Sequence, residues 1–230
     1  MIPLYESIMQ NTKTLRLVES ALMIAIAAVL ELVSKALGLE LPFGGTVTIF
    51  SMLPIVLVSY RHGVKWGLLT GAAYSFVQML MGFKVVSALF MPGGDSYMVL
   101  WKALLICLLD YVVAYTVLGF GGVFRKKIKK PWLALLLGVM AALLLRYLVH
   151  IISGAIFYGE WAEWFFTDGS SALPAAFRQW VMSGFSGAGL AVVYSVVYNG
   201  LYMIPEIILT SAAAVIVGKI PAAVTVKAKK

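Results

Sequence analysis

The run WLALLLGVMAALLLRYLVHIISGAIFY, Trp132–Tyr158, decides the fold. A helix crosses a bilayer with about 20 mostly apolar residues, and this run exceeds that length with only two basic side chains, Arg146 and His150, inside it. It continues into GEWAEWF, Gly159–Phe165, where aromatic rings alternate with carboxylates. A membrane helix that buries an arginine and a histidine one turn apart, then ends in aromatics and acids, requires a function for its polar groups.

The whole chain agrees with that reading. Of its 230 residues 62% are hydrophobic and 12% charged, whereas soluble domains average about half apolar and a quarter charged. This composition predicts an all-α integral membrane protein, one domain over residues 1–230. The net charge of +8 does not indicate nucleic acid, because the basic residues lie in short clusters between hydrophobic runs. The single cysteine, Cys107, excludes a disulfide framework and a thiolate metal site. No small-residue cleavage site follows a short apolar core near the start, so the first hydrophobic helix is expected to remain in the mature chain.

Six spans are expected, at about 17–37, 47–60, 66–83, 98–124, 132–158 and 184–217, the second being short and preceded by LPFGG. Their connections alternate in charge. Lys13 and Arg16 precede span one, and Arg61 and Lys65 join spans two and three. The cluster Arg125, Lys126, Lys127, Lys129 and Lys130 joins spans four and five, and Lys219, Lys227, Lys229 and Lys230 follow span six. The opposite connections hold Glu40, Asp95, Glu160, Glu163 and Asp168. The positive-inside rule then places both termini in the cytoplasm and the aromatic, acidic segment outside.

Ionisable residues within spans are costly, tend to face the bundle interior, and are functional candidates by default. Counting along each span places Asp110, Arg146 and Asn199 near mid-membrane, with His150 and Glu31 nearer the outside. Asp110 and Arg146, at matched depth, are candidates for a structural ion pair, although a tie from Arg146 to Glu31 is also open. His150, Gly154, Phe157, Tyr158 and Trp161 recur at helical spacing on one face. Such a stripe serves as packing or as an interfacial belt, to which Trp161 and Trp164 are suited. Joined to a histidine and a carboxylate, it also suits a flat organic cation, which aromatic faces attract through their quadrupoles.

GFSG, Gly184–Gly187, matches the nucleophile motif of rhomboid intramembrane proteases. In that family, however, the histidine base follows in a later helix, whereas His150 comes earlier here. Close helix packing accounts for the small residues of SGFSGAG. There is no GxxxxGK[ST] phosphate loop and no HExxH. A self-contained enzyme is therefore not expected.

Several segments occur in a familiar order: LPIVLVSYRHGVKWGLLTG, YSFVQ, LLDYVVAYTVLGFGGVFRK, RYLVHIISGAIFYG and YSVVYNGLYMIPEIIL. From about Gly44 to Leu209 they resemble the thiamine-specific substrate-binding subunit, ThiT or YuaJ, of energy-coupling factor transporters. The resemblance implies six helices and a thiamine pocket near the outer face, lined by helices four to six and the loop after helix one. It implies no cofactor on this chain. ATP would be used by partners, namely a membrane coupling protein and two cytosolic ATPases. The setting implied is the plasma membrane of a prokaryote.

Carried onto this sequence, the resemblance implies that His150, Tyr194 and Asn199 contact the ligand. Asp110 and Tyr111 stand where the family has glutamate and tyrosine, and Tyr74 and Tyr158 where it has tryptophan. An acidic residue expected within Thr46–Ser51 is missing, and Lys84–Tyr97 is longer than the family pattern. Ala21 and Ala25, one turn apart on helix one, are the implied coupling face; packing within the bundle is the other use of such alanines. Two further readings are a subunit of the same type for a thiamine-precursor pyrimidine, and a stand-alone secondary transporter. The latter often shows internal repeats, and no repeat is evident.

Overall fold

The structure, a computed structural model, describes residues 12–39, 41, 45–94, 96–168 and 173–225. Glu40, Asp95, Lys227, Lys229 and Lys230, used above to read orientation, lie outside the described residues. Among the described residues every regular element is helical. The principal helices are α1 (Thr12–Ala36), α2 (Leu53–His62), α3 (Val64–Met81), α4 (Leu100–Gly122), α5 (Pro131–Phe157) and α6 (Gly187–Gly218). Four of these are long and apolar enough to cross a membrane: α1 from Lys13 onward, α4, α5 and α6.

The short second span of the sequence reading becomes α2, which starts at Leu53 rather than near Val47. Pro54 sits in its first turn, where a missing N–H is harmless. Before it the chain turns at Phe50, whose φ is 62°, so residues 46–52 cannot continue a helix backward. Leu53 to Tyr60 are buried on all sides, and α2 forms a central post. The sixth helix starts at Gly187 rather than Gly184, because Ala175–Gly184 is a separate helix. The acidic and aromatic segment after α5 folds into Gly159–Trp161 and Ala162–Thr167, two short helical pieces that the sequence reading left undivided.

α4 is irregular. It runs α-helical over Leu100–Ile106, widens to a π-helix over Cys107–Val113, and tightens to a 3₁₀ turn over Val117–Gly122. Wide turns of this kind are rare and often mark functional sites. The tight end depends on glycine. A Cβ on Gly119 would lie 2.3 Å from the Leu68 backbone nitrogen of α3. A Cβ on Gly138 of α5 would lie 2.0 Å from the Gly121 carbonyl oxygen. Without a hydrophobic force between helices in lipid, such close backbone approach is what holds neighbours together. Ser59 of α2 completes the junction, its hydroxyl donating to the Gly119 carbonyl and accepting from Gly122 N–H at 2.9 Å.

Gly138→Ala is therefore expected to destabilise the protein by about 1–3 kcal/mol, the usual cost of overpacking. Ala142→Gly, which adds no volume, gives the helix-propensity control of about 1 kcal/mol. Thermal melts in detergent check both, and a Gly138→Ala melt at or above wild type would contradict the close α4–α5 contact.

Candidate ligand site

A cavity of about 130 Å³ opens between α4, α5 and α6 and is closed by the loop after α1. The π-turn of α4 brings Asp110 and Tyr111 to it together. α5 contributes Arg146, His150 and Gly154, with Tyr158 just past its end, and α6 contributes Tyr194, Tyr198, Asn199 and Tyr202. Glu31 and Lys35 of α1, Gln78 of α3, and Gly45, Thr46 and Thr48 of the loop complete it.

The sequence-derived residues Asp110, Tyr111, His150, Tyr158, Tyr194 and Asn199 thus converge on one cavity. Tyr74 does not reach it. That ring is fully buried, packs edge-on against Tyr115 at 5.4 Å, and its hydroxyl accepts a 2.5 Å hydrogen bond from Gln78. Gln78 takes the lining position instead, so Tyr74 stands one layer behind the wall.

The charges also pair differently from the depth argument. His150 Nδ1, not Arg146, meets Asp110 Oδ1, at 3.2 Å. Arg146 turns toward α6, where Nη1 lies 3.4 Å from Glu206 Oε1, and Nη2 donates to the Tyr115 hydroxyl at 3.2 Å. The guanidinium carbon also lies 4.6 Å from the centre of the Tyr115 ring, a cation–π contact. Matched depth did not determine the pairing because the π-turn alters the direction of Asp110. Glu31 Oε1 lies 3.8 Å from Lys35 Nζ, while its other oxygen accepts from Ser51 at 3.3 Å and Gln78 at 3.4 Å. Glu31 therefore supplies a carboxylate to the cavity that Thr46 and Thr48 also line.

Asn199 works mainly within the protein. Its amide donates to the Ser195 carbonyl at 2.8 Å and the His150 carbonyl at 3.3 Å, and its oxygen accepts from Tyr202 at 2.6 Å. By contrast, buried His150 Nε2 and Arg146 Nε have no hydrogen-bond partner among the described residues. A buried donor or acceptor left unmet costs about 1–3 kcal/mol, so both atoms are suited to a ligand. The rings stand as a ladder on α6, Tyr194 and Tyr198 with centres 5.8 Å apart and Tyr198 and Tyr202 at 6.3 Å, flanked by Phe165. Ser186 of GFSG is not among the cavity residues that include His150, so no serine–histidine pair of a protease forms there.

A family model described as thiamine transporter protein (Thia_YuaJ) matches residues 17–172. The chain belongs to this family. The thiamine transporter ThiT of Bacillus subtilis strain 168 is 34% identical over 209 residues, covering 87% of this chain and 88% of that protein. A solved structure of ThiT from Listeria monocytogenes has the same fold. The TM-score is 0.62 at 20% identity, over 94% of this chain and 100% of that one. The protein is a transporter-family membrane protein rather than an enzyme.

Within this member of the thiamine transporter family, sequence reasoning missed Glu206, Tyr115, Tyr198 and Tyr202. Glu206 is an acid in an apolar span, the same signal that flagged Asp110 and Arg146. The tyrosines repeat every four residues from Tyr194, a helical stripe visible in YSVVYNGLY.

Because Glu206 is wholly buried against Arg146, Glu206→Leu alone should destabilise the fold by about 3–5 kcal/mol through an unpaired buried cation. Arg146→Met/Glu206→Leu together should cost much less, since a well-packed apolar pair often replaces a buried ion pair without loss. Melting temperatures of the three proteins decide. A double variant worse than the single one would show that the ion pair is not the dominant interaction.

Proposed function

We propose that this protein captures thiamine from outside the cell and passes it inward as the substrate-binding subunit of an energy-coupling factor importer. One observation carries the ligand assignment. Among the described residues two carboxylates line the cavity, and Glu31 already has Lys35 as counter-charge. Asp110 has only His150 among the described residues, so it is free to neutralise an incoming cation. A thiazolium leaving water keeps its affinity only where a counter-charge and polarised rings replace its hydration. Tyr158, Tyr194 and Tyr198 supply the rings. The name of the Bacillus subtilis relative points to the same ligand.

The topology belongs to the same proposal. All six principal helices span or enter the bilayer as a single domain, with both termini cytoplasmic and the cavity toward the outside. The basic cluster Arg125–Lys130 between α4 and α5 supports this orientation. Import is driven by ATP hydrolysis on separate cytosolic partners, reached through a membrane coupling protein. Ala21 and Ala25 are both exposed on α1, on a face bordered by Leu17, Val18, Leu22 and Ile26. Their exposure argues against packing within the bundle and favours a face on which another helix seats closely.

Asp110→Asn should weaken thiamine about 10-fold to 100-fold, the value of a charge-assisted contact, while barely changing an uncharged aminopyrimidine. Titration by tryptophan fluorescence on detergent-purified protein reads this directly. Unchanged thiamine affinity would remove Asp110 from the cation site, and a protein that holds the pyrimidine but ignores thiamine would reassign the substrate. For coupling, Ala25→Trp should abolish uptake by cells while purified protein binds ligand as before. Uptake at the wild-type rate would remove the docking assignment.

A further inference from the structure

We infer that Arg146 sets the orientation and selectivity of the ligand, donating a hydrogen bond to an uncharged heterocyclic nitrogen at the inner end of the cavity and repelling a cation from that end. The inference rests on the proposed thiamine reading and extends it to a residue that reading does not use. It starts from an incomplete set of contacts. A guanidinium has five N–H donors in a rigid fork. Arg146 is 5% exposed and lines the cavity, yet its described contacts are a single 3.4 Å approach to Glu206, one hydrogen bond to Tyr115 and the face of that ring. Nε has no partner.

A purely structural ion pair would look different. Arginine and carboxylate then usually meet through two parallel bonds, and replacing such a pair by apolar residues is often neutral. A charge held within a membrane span with donors to spare is better explained by a ligand. The counter-charge also lies behind the wall, since Glu206 is fully buried and does not line the cavity. The cavity therefore meets the cation, not its partner.

Together these groups make the cavity bipolar. Asp110, against His150, offers negative charge at one level. Arg146 precedes His150 by one turn of α5, about 6 Å further in by helical rise. Two heterocycles joined through one carbon can bridge that separation. A cationic ring beside Asp110 then carries its partner ring toward Arg146, which donates to a ring nitrogen's lone pair and disfavours a second cation. The reversed pose would set the thiazolium against the guanidinium.

The test compares thiamine with an N-benzyl thiazolium, which keeps the cation but replaces the aminopyrimidine by phenyl. Wild type should bind the benzyl compound at least about 10-fold more weakly, the scale of one hydrogen bond to a charged group. Arg146→Gln/Glu206→Gln removes both charges together, and should weaken thiamine about 10-fold while leaving the benzyl compound near its wild-type affinity. Arg146→Met/Glu206→Leu, which removes the donor along with both charges and leaves an apolar pair, should show the same selective loss, and carries the comparison if the first double variant does not fold. Melting temperatures are recorded for each. Equal wild-type affinities, or losses of the same size for both ligands, would overturn the role of Arg146. A wild type that bound neither cation would instead overturn the Asp110 site, and this inference with it.

Discussion

Everything in the cavity depends on how closely α6 approaches α5 at Gly154. A Cβ there would stand 2.3 Å from Ser195 Oγ and 3.1 Å from Asn199 Nδ2, so any larger residue would have to push those two side chains aside. Across that gap Ser195 donates to the Ile151 carbonyl at 2.8 Å, and Asn199 reaches the His150 carbonyl. Side-chain bonds to helix carbonyls tie neighbours together where water is absent. The tie fixes the rotation of α6 about its axis. Tyr194, Tyr198 and Tyr202, at four-residue intervals from one another, then necessarily share the face that looks into the cavity.

The same seam governs the charges. His150 is anchored through its own carbonyl, so its ring is held between Asp110 of α4 and the edge of Tyr202, 6.0 Å away. One turn further in, Arg146 finds Glu206 across the same interface. In a low-dielectric interior each charge demands a partner, and the helices supply them unevenly. Arg146 faces Glu206 at 3.4 Å and Glu31 faces Lys35 at 3.8 Å; Asp110 has a histidine. That asymmetry, rather than the number of polar groups, is what the proposed cation site rests on.

Much of this was legible in the sequence, and the parts that were not have physical causes. Hydrophobic length identifies α1, α4, α5 and α6 because crossing a bilayer sets a minimum. The resemblance supplied His150, Tyr194 and Asn199, and helical spacing put Tyr158 with His150. Tyr74 lies behind the cavity wall because its neighbour one turn on, Gln78, lines the cavity and donates to its hydroxyl. The Asp110–Arg146 alternative failed because depth is one coordinate and direction another. The π-turn of α4 changes direction without changing depth, and no residue in CLLDYVV announces it. Glu206 is an acid in an apolar span like Asp110, and it directly follows Pro205 inside α6.

α1 joins the two proposed activities in a single rigid element. Ser20, Ala27, Glu31 and Ser34 are its buried face, and Glu31 and Lys35 reach the cavity. Leu17, Leu22, Ile26 and Val29, with Ala21 and Ala25, form the outer face. The inner face is fastened at both ends. Ser34 Oγ accepts from Ile49 N–H of the cavity loop at 2.8 Å, and Glu19 meets Arg61 at 2.8 Å near the other end. Arg61 in turn donates to the carbonyls of Ala222 and Ala223. α1 thus carries cavity contacts toward its C-terminal end and the proposed docking face toward its N-terminal half.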